Sequence, residues 1–451
     1  MPSPRTARDP SRTNVAIIGM GTVGAGVARL LIDHGDRTAR HAGKTIWLSK
    51  AVVRDLNKPR GIDLPAGILT DSIDEVIDDP EIDVIVQLIG GLSPAREVML
   101  RAMEAGKDIV TANKALLAEH GGELFTRAQQ LGRSIAFEAA VAGGVPIVSN
   151  ISQCLSANQV LSMEGILNGT SNFIVSQMEE KHAGYEPTVK LAQELGYAEA
   201  DPAMDVDGTD AAQKLAILSH LAFGATVDWR DIPRDGIDRL DPVDLQYAAQ
   251  LGYRIKLLAS ARLIDGELEL SVAPTLVRKG TPMAEVRDAY NAIRVVGDAV
   301  GPVFYHGLGA GQMPTASAVV ADLIDTAVGR TQLTFQTLEY FAEGRPARTV
   351  QRDVGKLRGR YYLRLHVSNH PGTLATIAGV LAEHEMSIAS VIQHEERRGA
   401  SEATGSSGSE AFVPLVIMTH EASEGAASEA TQRIAALPSV EGRAVRMPVR
   451  E

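Results

Sequence analysis

Short apolar runs alternate with helical patterns over the first third of the chain. The apolar runs lie at Asn14–Ile18, Ile46–Val53, Ile82–Ile89 and Asp108–Thr111. Helical spacing of apolar residues follows the first run, and a second helical pattern covers Ala95–Ala105. Short buried strands separated by helices are typical of βαβ units around a parallel sheet. We therefore predict an α/β fold with a Rossmann-type nucleotide-binding domain at 14–145.

The texture changes after Pro146. Longer helical segments such as Ala211–Ala222 mix with scattered strands such as Leu268–Val272. This mixture predicts a second, α+β domain at 146–315, which carries the substrate and catalytic residues. We expect residues 316–350 to form helices that return to the nucleotide-binding domain.

The last part of the chain has the pattern of a separate small domain. Basic and polar residues predict a linker at 351–360, and the domain then occupies 361–451. A strand, a turn and a helix begin it, at Tyr362–Val367, Asn369–Gly372 and Thr373–His384. Glu395–Glu410 is rich in Ser, Gly, Glu and Arg, a composition that cannot pack a core, so we predict a mobile hairpin loop there.

Composition indicates a multidomain globular protein. The 451 residues are 45% hydrophobic and 22% charged, and the formal net charge is −12. An acidic surface does not attract nucleic acid or anionic membranes, and no apolar stretch has the length of a membrane span. Residues 1–13 contain no apolar run, so we expect a disordered leader rather than a secretory signal. These features favour a cytoplasmic protein.

Cys154 is the only cysteine of the chain. It can form neither an intramolecular disulfide nor a thiolate metal cluster, which fits a reducing compartment. No partner motif surrounds it that would make it a nucleophile, so we expect a core residue.

Gly19–Gly24 matches the pattern G-x-G-x-x-G between a strand and a helix. In that context Gly19 permits a tight turn, Gly21 lets the backbone approach a pyrophosphate, and Gly24 allows close packing of helix and strand. The first backbone N–H groups of the helix, including those of Thr22 and Val23, then hold the phosphate. A glycine turn in an unrelated α/β fold is the alternative.

The end of the second strand bears on the choice of dinucleotide. Arg54 stands there, followed by Asp55, Lys58 and Arg60. An arginine at this position suits the 2′-phosphate of NADP, whereas an acid suits the free ribose hydroxyl of NAD. The sequence favours NADP and leaves NAD open, and an ordinary surface charge is the alternative interpretation of Arg54.

Candidate catalytic lysines occur at two places. Lys114 directly follows a strand, at the end of the sheet where α/β enzymes bind ligands. Lys214 shares a helix face with Asp210, four residues earlier, and lies beside an apolar stripe that suggests partial burial. The alternative for this pair is an ordinary surface ion pair.

Five carboxylates crowd into twelve positions, 199–210, at Glu199, Asp201, Asp205, Asp207 and Asp210. We expect Pro202 and Gly208 to keep this segment from being helical, and Asp207 or Thr209 to cap the helix that follows. Carboxylates can bind the ammonium of an amino-acid substrate, while a lysine donates a proton to a carbonyl oxygen as hydride reaches the carbon.

Four segments together resemble the homoserine dehydrogenases, from about Asn14 to Arg348. They are Gly165–Asn172 (GILNGTSN), Leu195–Lys214, Glu138–Pro146, and Gly307–Gly311 followed by Pro314–Ala318. Leu308 departs from the family, which usually has proline there. The resemblance implies reversible NAD(P)H-dependent reduction of L-aspartate 4-semialdehyde to L-homoserine, on the route to threonine and methionine.

The resemblance also implies roles for individual residues. Lys214 would be the proton donor with Lys114 beside it, Glu199 would bind the substrate amino group, and Asp205 and Asp210 would order the site. Lys114, which faces the cofactor crevice, and Gly311 would contact the cofactor. A monovalent cation, sodium or potassium, would be held largely by backbone carbonyls, and its predicted ligands are Glu138, Val141, Gly143 and Val145.

The C-terminal domain resembles ACT domains, βαββαβ modules that commonly bind amino acids at a paired interface. The resemblance implies feedback regulation by threonine near Asn369–Gly372 and a homodimer or homotetramer; a domain that only assembles the oligomer is the alternative.

A dinucleotide-binding sensor without catalysis is a competing function, which the two lysines and the acidic segment argue against. Aspartate-semialdehyde dehydrogenase would need a thiol that Cys154 does not suit. No kinase-like segment precedes Asn14, so we expect no fused aspartokinase.

Overall fold

The N-terminal region contains a six-stranded parallel sheet. The computed structural model describes residues 9–337, 349–393 and 412–451. The strands are β1 Arg12–Ile18, β2 Thr45–Val52, β3 Leu69–Thr70, β4 Val84–Gln87, β5 Asp108–Thr111 and β6 Ile135–Ala136. The order across the sheet is β3-β2-β1-β4-β5-β6. The helices are α1 Thr22–Asp33, α2 Gly35–Ala42, α3 Ile73–Ile77, α4 Ala95–Glu104 and α5 Lys114–Leu131. The predicted Rossmann-type sheet is confirmed.

Successive residues of the central strands point into two different apolar clusters. On β1, Ala16 and Ile18 enter one cluster, while Val15 and Ile17 enter the other. Side chains alternate across a strand, so a run that is apolar at every position must be covered on both faces. The continuous apolar pattern of β1 therefore produces a sheet with helices on both sides.

The second region is an antiparallel sheet covered by helices. Its helices and turns are a 3-10 turn Glu138–Ala140, α6 Ile147–Ser149, a π-helical turn Asn150–Cys154, α7 Gly169–Lys181, α8 Tyr185–Glu194, α9 Ala203–Val206, α10 Thr209–Phe223, a 3-10 turn Trp229–Asp231 and α11 Pro242–Gln250. Its strands are β7 Val160–Ile166, β8 Tyr253–Ile264, β9 Glu267–Arg278, β10 Tyr290–Gly297 and β11 Gly301–Leu308. They run in the order β11-β10-β7-β8-β9, and α7, α10 and α11 contact β8.

Two helices then lead back to the first sheet, α12 Gln312–Ala327 and α13 Arg330–Thr337. Residues of α12 such as Val319 and Leu323 lie in the same apolar cluster as Val15 and Ile17. At Gly26 the backbones of α1 and α12 come close, since a Cβ there would lie 3.0 Å from the Cβ of Ala316. This contact fixes the second region against the start of α1.

The C-terminal region has the predicted βαββαβ order, with two additional short strands. Its elements are β12 Val350–Gln351, a 3-10 turn Val354–Lys356, β13 Arg358–Ser368, α14 Thr373–Glu383, β14 Ile388–Gln393, β15 Phe412–Thr419, β16 Ala422–Ser423, α15 Glu424–Ala435 and β17 Val440–Arg450. The order β17-β13-β15-β14 continues the second sheet, because Val449 and Arg450 of β17 pair with Leu276 and Val277 of β9.

Several details differ from the sequence predictions. β1 begins at Arg12, inside the predicted leader, because Arg12 and Thr13 already pair with β2. The predicted linker 351–360 is structured: β12 pairs with β9, a 3-10 turn follows, and β13 has begun by Arg358. Cys154 is exposed rather than in the core, since the π-helical turn directs Ile151 inward instead.

Two predicted segments lie partly or wholly outside the described residues. They are the first eight residues of the leader and the hairpin loop at Glu395–Glu410. Across the ranges that the structure describes, no helix is both long and apolar enough to cross a membrane.

Candidate active site

A cleft of about 860 Å³ opens at the carboxyl ends of β1, β2 and β4. The turn after β1 is possible only with glycine at two positions. Gly19 has φ +108°, and a Cβ on Gly24 would collide with the carbonyl oxygen of Gly19. Around Gly21, by contrast, a Cβ would meet nothing within 4 Å. The turn is thus tight on its protein side and open toward the cleft, as the approach of a pyrophosphate requires.

Of the eight predicted cofactor residues, four line this cleft, while Val23, Gly24, Lys114 and Gly311 do not. The lining residues among them are Gly19, Gly21, Thr22 and Arg54. Val23 is half-buried against the apolar cluster, Gly24 lies beneath the turn, and Gly311 is the N-cap of α12. Sequence reasoning missed Gln312, whose side chain lines the cleft and donates to the Thr22 carbonyl at 2.9 Å.

The loop after β2 supplies positive charge to the cleft. Arg54 is exposed there, and Lys58 and Arg60 also line it. Asp55 lines the cleft as well, but its Oδ1 accepts from the backbone N–H of Asn57 at 2.8 Å. Arg60 donates to the carbonyls of Asp55 and Lys58, which stabilises the loop.

A buried polar network positions Lys114 at the start of α5. The side chain of Asn113 caps the helix by accepting from Leu116 N at 3.0 Å, and its amide donates to the carbonyls of Ile89 and Gly91. Ile89 also lines the nucleotide cleft. The cap therefore joins the first residue of α5 to the wall of that cleft.

The carboxylate of Asp210 lies between the two predicted lysines. Its Oδ1 is 2.5 Å from Lys114 Nζ, and its Oδ2 accepts from Lys214 Nζ at 2.7 Å. Asp210 and Lys214 are 2% and 8% exposed, so the pair is almost completely desolvated. The ammonium of Lys214 also donates to the carbonyl of Leu167 at 2.7 Å.

Asn168 joins the acidic segment to this cluster, a role that sequence reasoning did not assign. Its Nδ2 donates to Asp210 Oδ2 at 2.8 Å and to Asp205 Oδ1 at 2.7 Å. Its Oδ1 caps α7 by accepting from Ser171 N at 2.7 Å. The only sequence signal was an asparagine between a strand and a helix in the GILNGTSN segment.

Electrostatics give the two lysines opposite shifts. Burial lowers the pKa of Lys214, and the positive charge of Lys114 reinforces that effect against the attraction of Asp210. Burial also acts on Lys114, but Asp210, Asp205 and Glu199 outweigh it and raise the pKa of that lysine. Asp210 keeps its charge, because two ammonium groups overcome the effect of burial and lower its pKa.

The remaining acids of the segment lie nearer to solvent. Asp205 is half-buried, and its pKa is raised by burial and by the charge of Asp210, although Asn168 opposes this. Glu199 is exposed. The prediction that the segment is non-helical is wrong at α9, where Pro202 starts one helical turn by accepting from Asp205 N and Val206 N. The α10 helix is capped by Gly208 without a side-chain bond, while Asp207 accepts from Thr209 N at 2.8 Å.

The four predicted cation ligands lie on the loop between β6 and α6. The carboxylate of Glu138 accepts from Val148 N at 2.9 Å and from Ser149 N at 2.8 Å, and it also bonds the Ser149 hydroxyl. Gly143 has φ +23°, and a Cβ there would lie 2.7 Å from the Gly309 carbonyl oxygen. Val141 and Val145 are buried, and a valine has only its backbone carbonyl oxygen to offer an ion.

Comparisons with known proteins agree along the whole chain. Residues 146–324 match the family model for homoserine dehydrogenase, and 19–138 match that for the homoserine dehydrogenase NAD-binding domain. A homoserine dehydrogenase of Pseudomonas aeruginosa is 42% identical over 97% of this chain and 98% of its own length. The chain belongs to the homoserine dehydrogenase family. A Bacillus subtilis member is 37% identical over 93% of this chain and 94% of its own.

Solved structures lead to the same conclusion. The crystal structure of a homoserine dehydrogenase from Thiobacillus denitrificans superposes with a TM-score of 0.89, at 42% identity and 98% coverage of both chains. Residues 361–439 match the ACT domain model, which confirms the predicted C-terminal module. This homoserine dehydrogenase family member therefore combines a nicotinamide-nucleotide domain, a catalytic domain and an ACT domain.

Proposed function

We propose that the chain catalyses the reversible NAD(P)H-dependent reduction of L-aspartate 4-semialdehyde to L-homoserine. The observation that carries this proposal is the buried carboxylate of Asp210 between Lys114 and Lys214, next to the wall of the nucleotide cleft. A non-catalytic sensor would not need the buried ammonium of Lys214, which is positioned by hydrogen bonds to Asp210 and to the Leu167 carbonyl. Family membership supports the same reaction.

Lys214 donates the proton in this proposal. A lysine ammonium has three N–H donors, and among the described residues two of them are used, by Asp210 and by the Leu167 carbonyl. The third is left for the aldehyde oxygen. The reduced nicotinamide, when bound, supplies a hydride to the carbonyl carbon. Lys214 then transfers its proton to the oxygen, which becomes the hydroxyl of homoserine, and the lowered pKa of Lys214 favours this transfer.

Asp210 acts on the substrate through the lysines, so we assign it a positioning role. Glu199 and Asp205 are the candidate ligands of the substrate ammonium. One oxygen of Asp205 accepts from Asn168, and Glu199 is exposed beside the same cluster. Both carboxylates contribute negative potential at Lys114, which keeps that lysine protonated beside the substrate.

NADP is the cofactor that the cleft favours. The open space at Gly21 and the collision that a Cβ on Gly24 would cause are the features expected of a pyrophosphate turn. Arg54 and Lys58 would hold the 2′-phosphate, while NAD remains the second possibility because of Asp55. Gly311 would approach the cofactor from the start of α12, which Gln312 holds against Thr22.

A monovalent cation, sodium or potassium, would be bound by the loop at Glu138, Val141, Gly143 and Val145. The carboxylate of Glu138 is already satisfied by backbone N–H groups, so the loop would offer mainly carbonyl oxygens. Gly143 fits this role, because its lack of a Cβ lets two backbones meet at Gly309. Hard oxygen ligands suit these ions.

The ACT domain supports regulation by an amino acid, and we propose threonine as the effector. The turn Asn369–Gly372 is exposed, and Gly372, with φ +96°, begins α14. We further propose that the chain acts as a homodimer or homotetramer in the cytoplasm.

The decisive experiment is NADPH oxidation in the presence of L-aspartate 4-semialdehyde. We expect turnover by the wild type and a loss of roughly 10²–10⁴-fold in kcat for Lys214→Met, the range for general acid catalysis. Lys181→Met, at the exposed end of α7, is the matched control and should match the wild type. No turnover by the wild type would overturn the proposed reaction, and full turnover by Lys214→Met would overturn the proton donor. The same assay with NADH and with added threonine tests cofactor choice and regulation.

A further inference from the structure

A second cavity lies on the second sheet, where the ACT domain meets β9, and it shares no lining residue with the nucleotide cleft. Its volume is about 110 Å³. A single water needs roughly 10–15 Å³ of such space, so the cavity has room for one small molecule. One side is formed by β8, β9 and the segment Pro233–Asp235, and the other by β13, β17 and the first residue of α15.

Positive charge predominates on the walls of this cavity. The charged lining residues are Arg234, Arg262, Arg358, Arg446 and Arg450 against Asp235, Glu269 and Glu424. Two of these arginines have close partners of their own. Arg446 forms an ion pair with Glu424 at 2.5 Å and stacks over the ring of Tyr361, while Arg234 lies over Trp229.

Arg262 and Arg450, by contrast, have no ion pair closer than 3.5 Å among the described residues. Arg450 Nε is 3.5 Å from Glu164, and Arg262 Nη1 is 3.8 Å from Glu269. Among the described residues, neither guanidinium makes a hydrogen bond to the protein. Both acids are also within 4 Å of another arginine, Glu164 of Arg294 at 3.8 Å and Glu269 of Arg352 at 3.9 Å. Arg352 lies nearer to Asp265 and Glu267, at 3.6 and 3.7 Å.

Arg262 and Arg450 are thus like charges that line one cavity, each with an acid 3.5–3.8 Å away rather than in a hydrogen bond. Burial lowers the pKa of Arg450, Glu164 opposes that effect, and Arg262 adds repulsion. A guanidinium has five N–H donors in a planar fork that matches the oxygens of a carboxylate or phosphate. Donors left unpaired in a partly desolvated site favour an oxyanion that would pair them.

We propose that this cavity is a binding site for a small oxyanion, a carboxylate or a phosphate, held between Arg262 and Arg450. The site is independent of the proposed catalytic function. Arg262 belongs to the catalytic sheet and Arg450 to the ACT domain, so the anion stabilises the junction between the two. It is separate from the Asn369–Gly372 turn, which does not line this cavity.

The test is isothermal titration calorimetry on the full chain with sodium phosphate and with sodium acetate, at constant ionic strength in sodium chloride. We expect saturable binding of at least one anion by the wild type and an affinity at least tenfold lower for Arg450→Gln. Arg443→Gln is the matched control, because Arg443 is an exposed arginine on the same strand outside this cavity. It should bind as the wild type does. The anion that shows the Arg450-dependent component identifies the ligand class.

Phosphate can also enter the nucleotide cleft, but that binding does not depend on Arg450 and so remains in the variant. Circular dichroism shows whether Arg450→Gln is folded; if it is not, Arg262→Gln takes its place with the same expectation. The proposal is overturned if neither anion binds saturably, or if the folded variant binds both as tightly as the wild type.

Discussion

Two buried aspartates, Asp210 and Asp244, have similar surroundings and different tasks. Asp210 is 2% exposed and Asp244 is fully buried. Each one accepts hydrogen bonds from cationic and neutral side chains, of which at least one lies on another element. Asp210 binds Lys114, Lys214 and Asn168, while Asp244 on α11 binds Arg364 and Tyr362 on β13.

The difference lies in the cations. Arg364 grips Asp244 with two parallel bonds, from Nε at 2.6 Å and Nη2 at 2.9 Å, and a guanidinium does not lose its proton in proteins. Lys214 is a single ammonium whose pKa burial lowers, so it can exchange a proton. A buried carboxylate thus links two domains when its partner is an arginine with a permanent charge, as at Asp244. It positions a proton donor when its partner is a lysine beside an open cleft, as at Asp210.

The different tasks of Asp210 and Asp244 are tested most directly by removing one charge at a time and measuring kcat. We expect Asp210→Asn to lower kcat by roughly 10²-fold or more, because small displacements of a catalytic group have effects of that size. The isosteric Asp244→Asn should change kcat by less than about threefold, since it touches neither lysine. Equal losses in the two variants would mean that Asp210 acts only through folding.

The second prediction concerns stability and the link that Asp244 forms between α11 and β13. Removing one partner of a buried ion pair costs about 3–5 kcal/mol. Asp244→Asn should therefore lower the free energy of unfolding by about that amount, which urea unfolding measures as a lower midpoint. Asp238→Asn is the control, because its exposed pair with Arg239 at 3.6 Å contributes about 1 kcal/mol at most. A midpoint for Asp244→Asn that matches this control would contradict the role of Asp244 as a link between the domains.

The sequence predicted features that depend on local spacing. The Gly19–Gly24 turn and the Asp210–Lys214 pair each lie within one element or one turn, where helical and strand periodicity constrain the geometry. For the same reason, the parallel sheet and the ACT-type order of elements were predicted. Their exact ends were not, as β1 and the structured linker show.

Contacts between segments far apart in the sequence have no spacing pattern from which they could be predicted. Asn168 meets Asp205 and Asp210 across 37 and 42 positions, and Asp244 meets Arg364 across 120. Only the folding of several elements brings these groups together, so spacing along the chain could not reveal them. Cys154 was misassigned because a π-helical turn, whose repeat differs from that of an α-helix, decides which residue faces inward.

The smallest expected effect, and the most specific one, is a shift in the pH profile. In the reduction direction Lys214 must be protonated, so kcat should fall as pH rises through its lowered pKa, below the ordinary lysine range. Lys114→Met removes a positive charge that disfavours the protonated form of Lys214. In this variant Lys214 is the only lysine that pairs with Asp210. The pKa of Lys214 should therefore rise, and the basic limb of the kcat profile should move up by about one pH unit, equivalent to about 1.4 kcal/mol. The conservative Lys114→Arg keeps the charge and should leave the limb in place. A limb that moves to lower pH in Lys114→Met, or that moves equally in both variants, would show that the two lysines do not share the charge of Asp210.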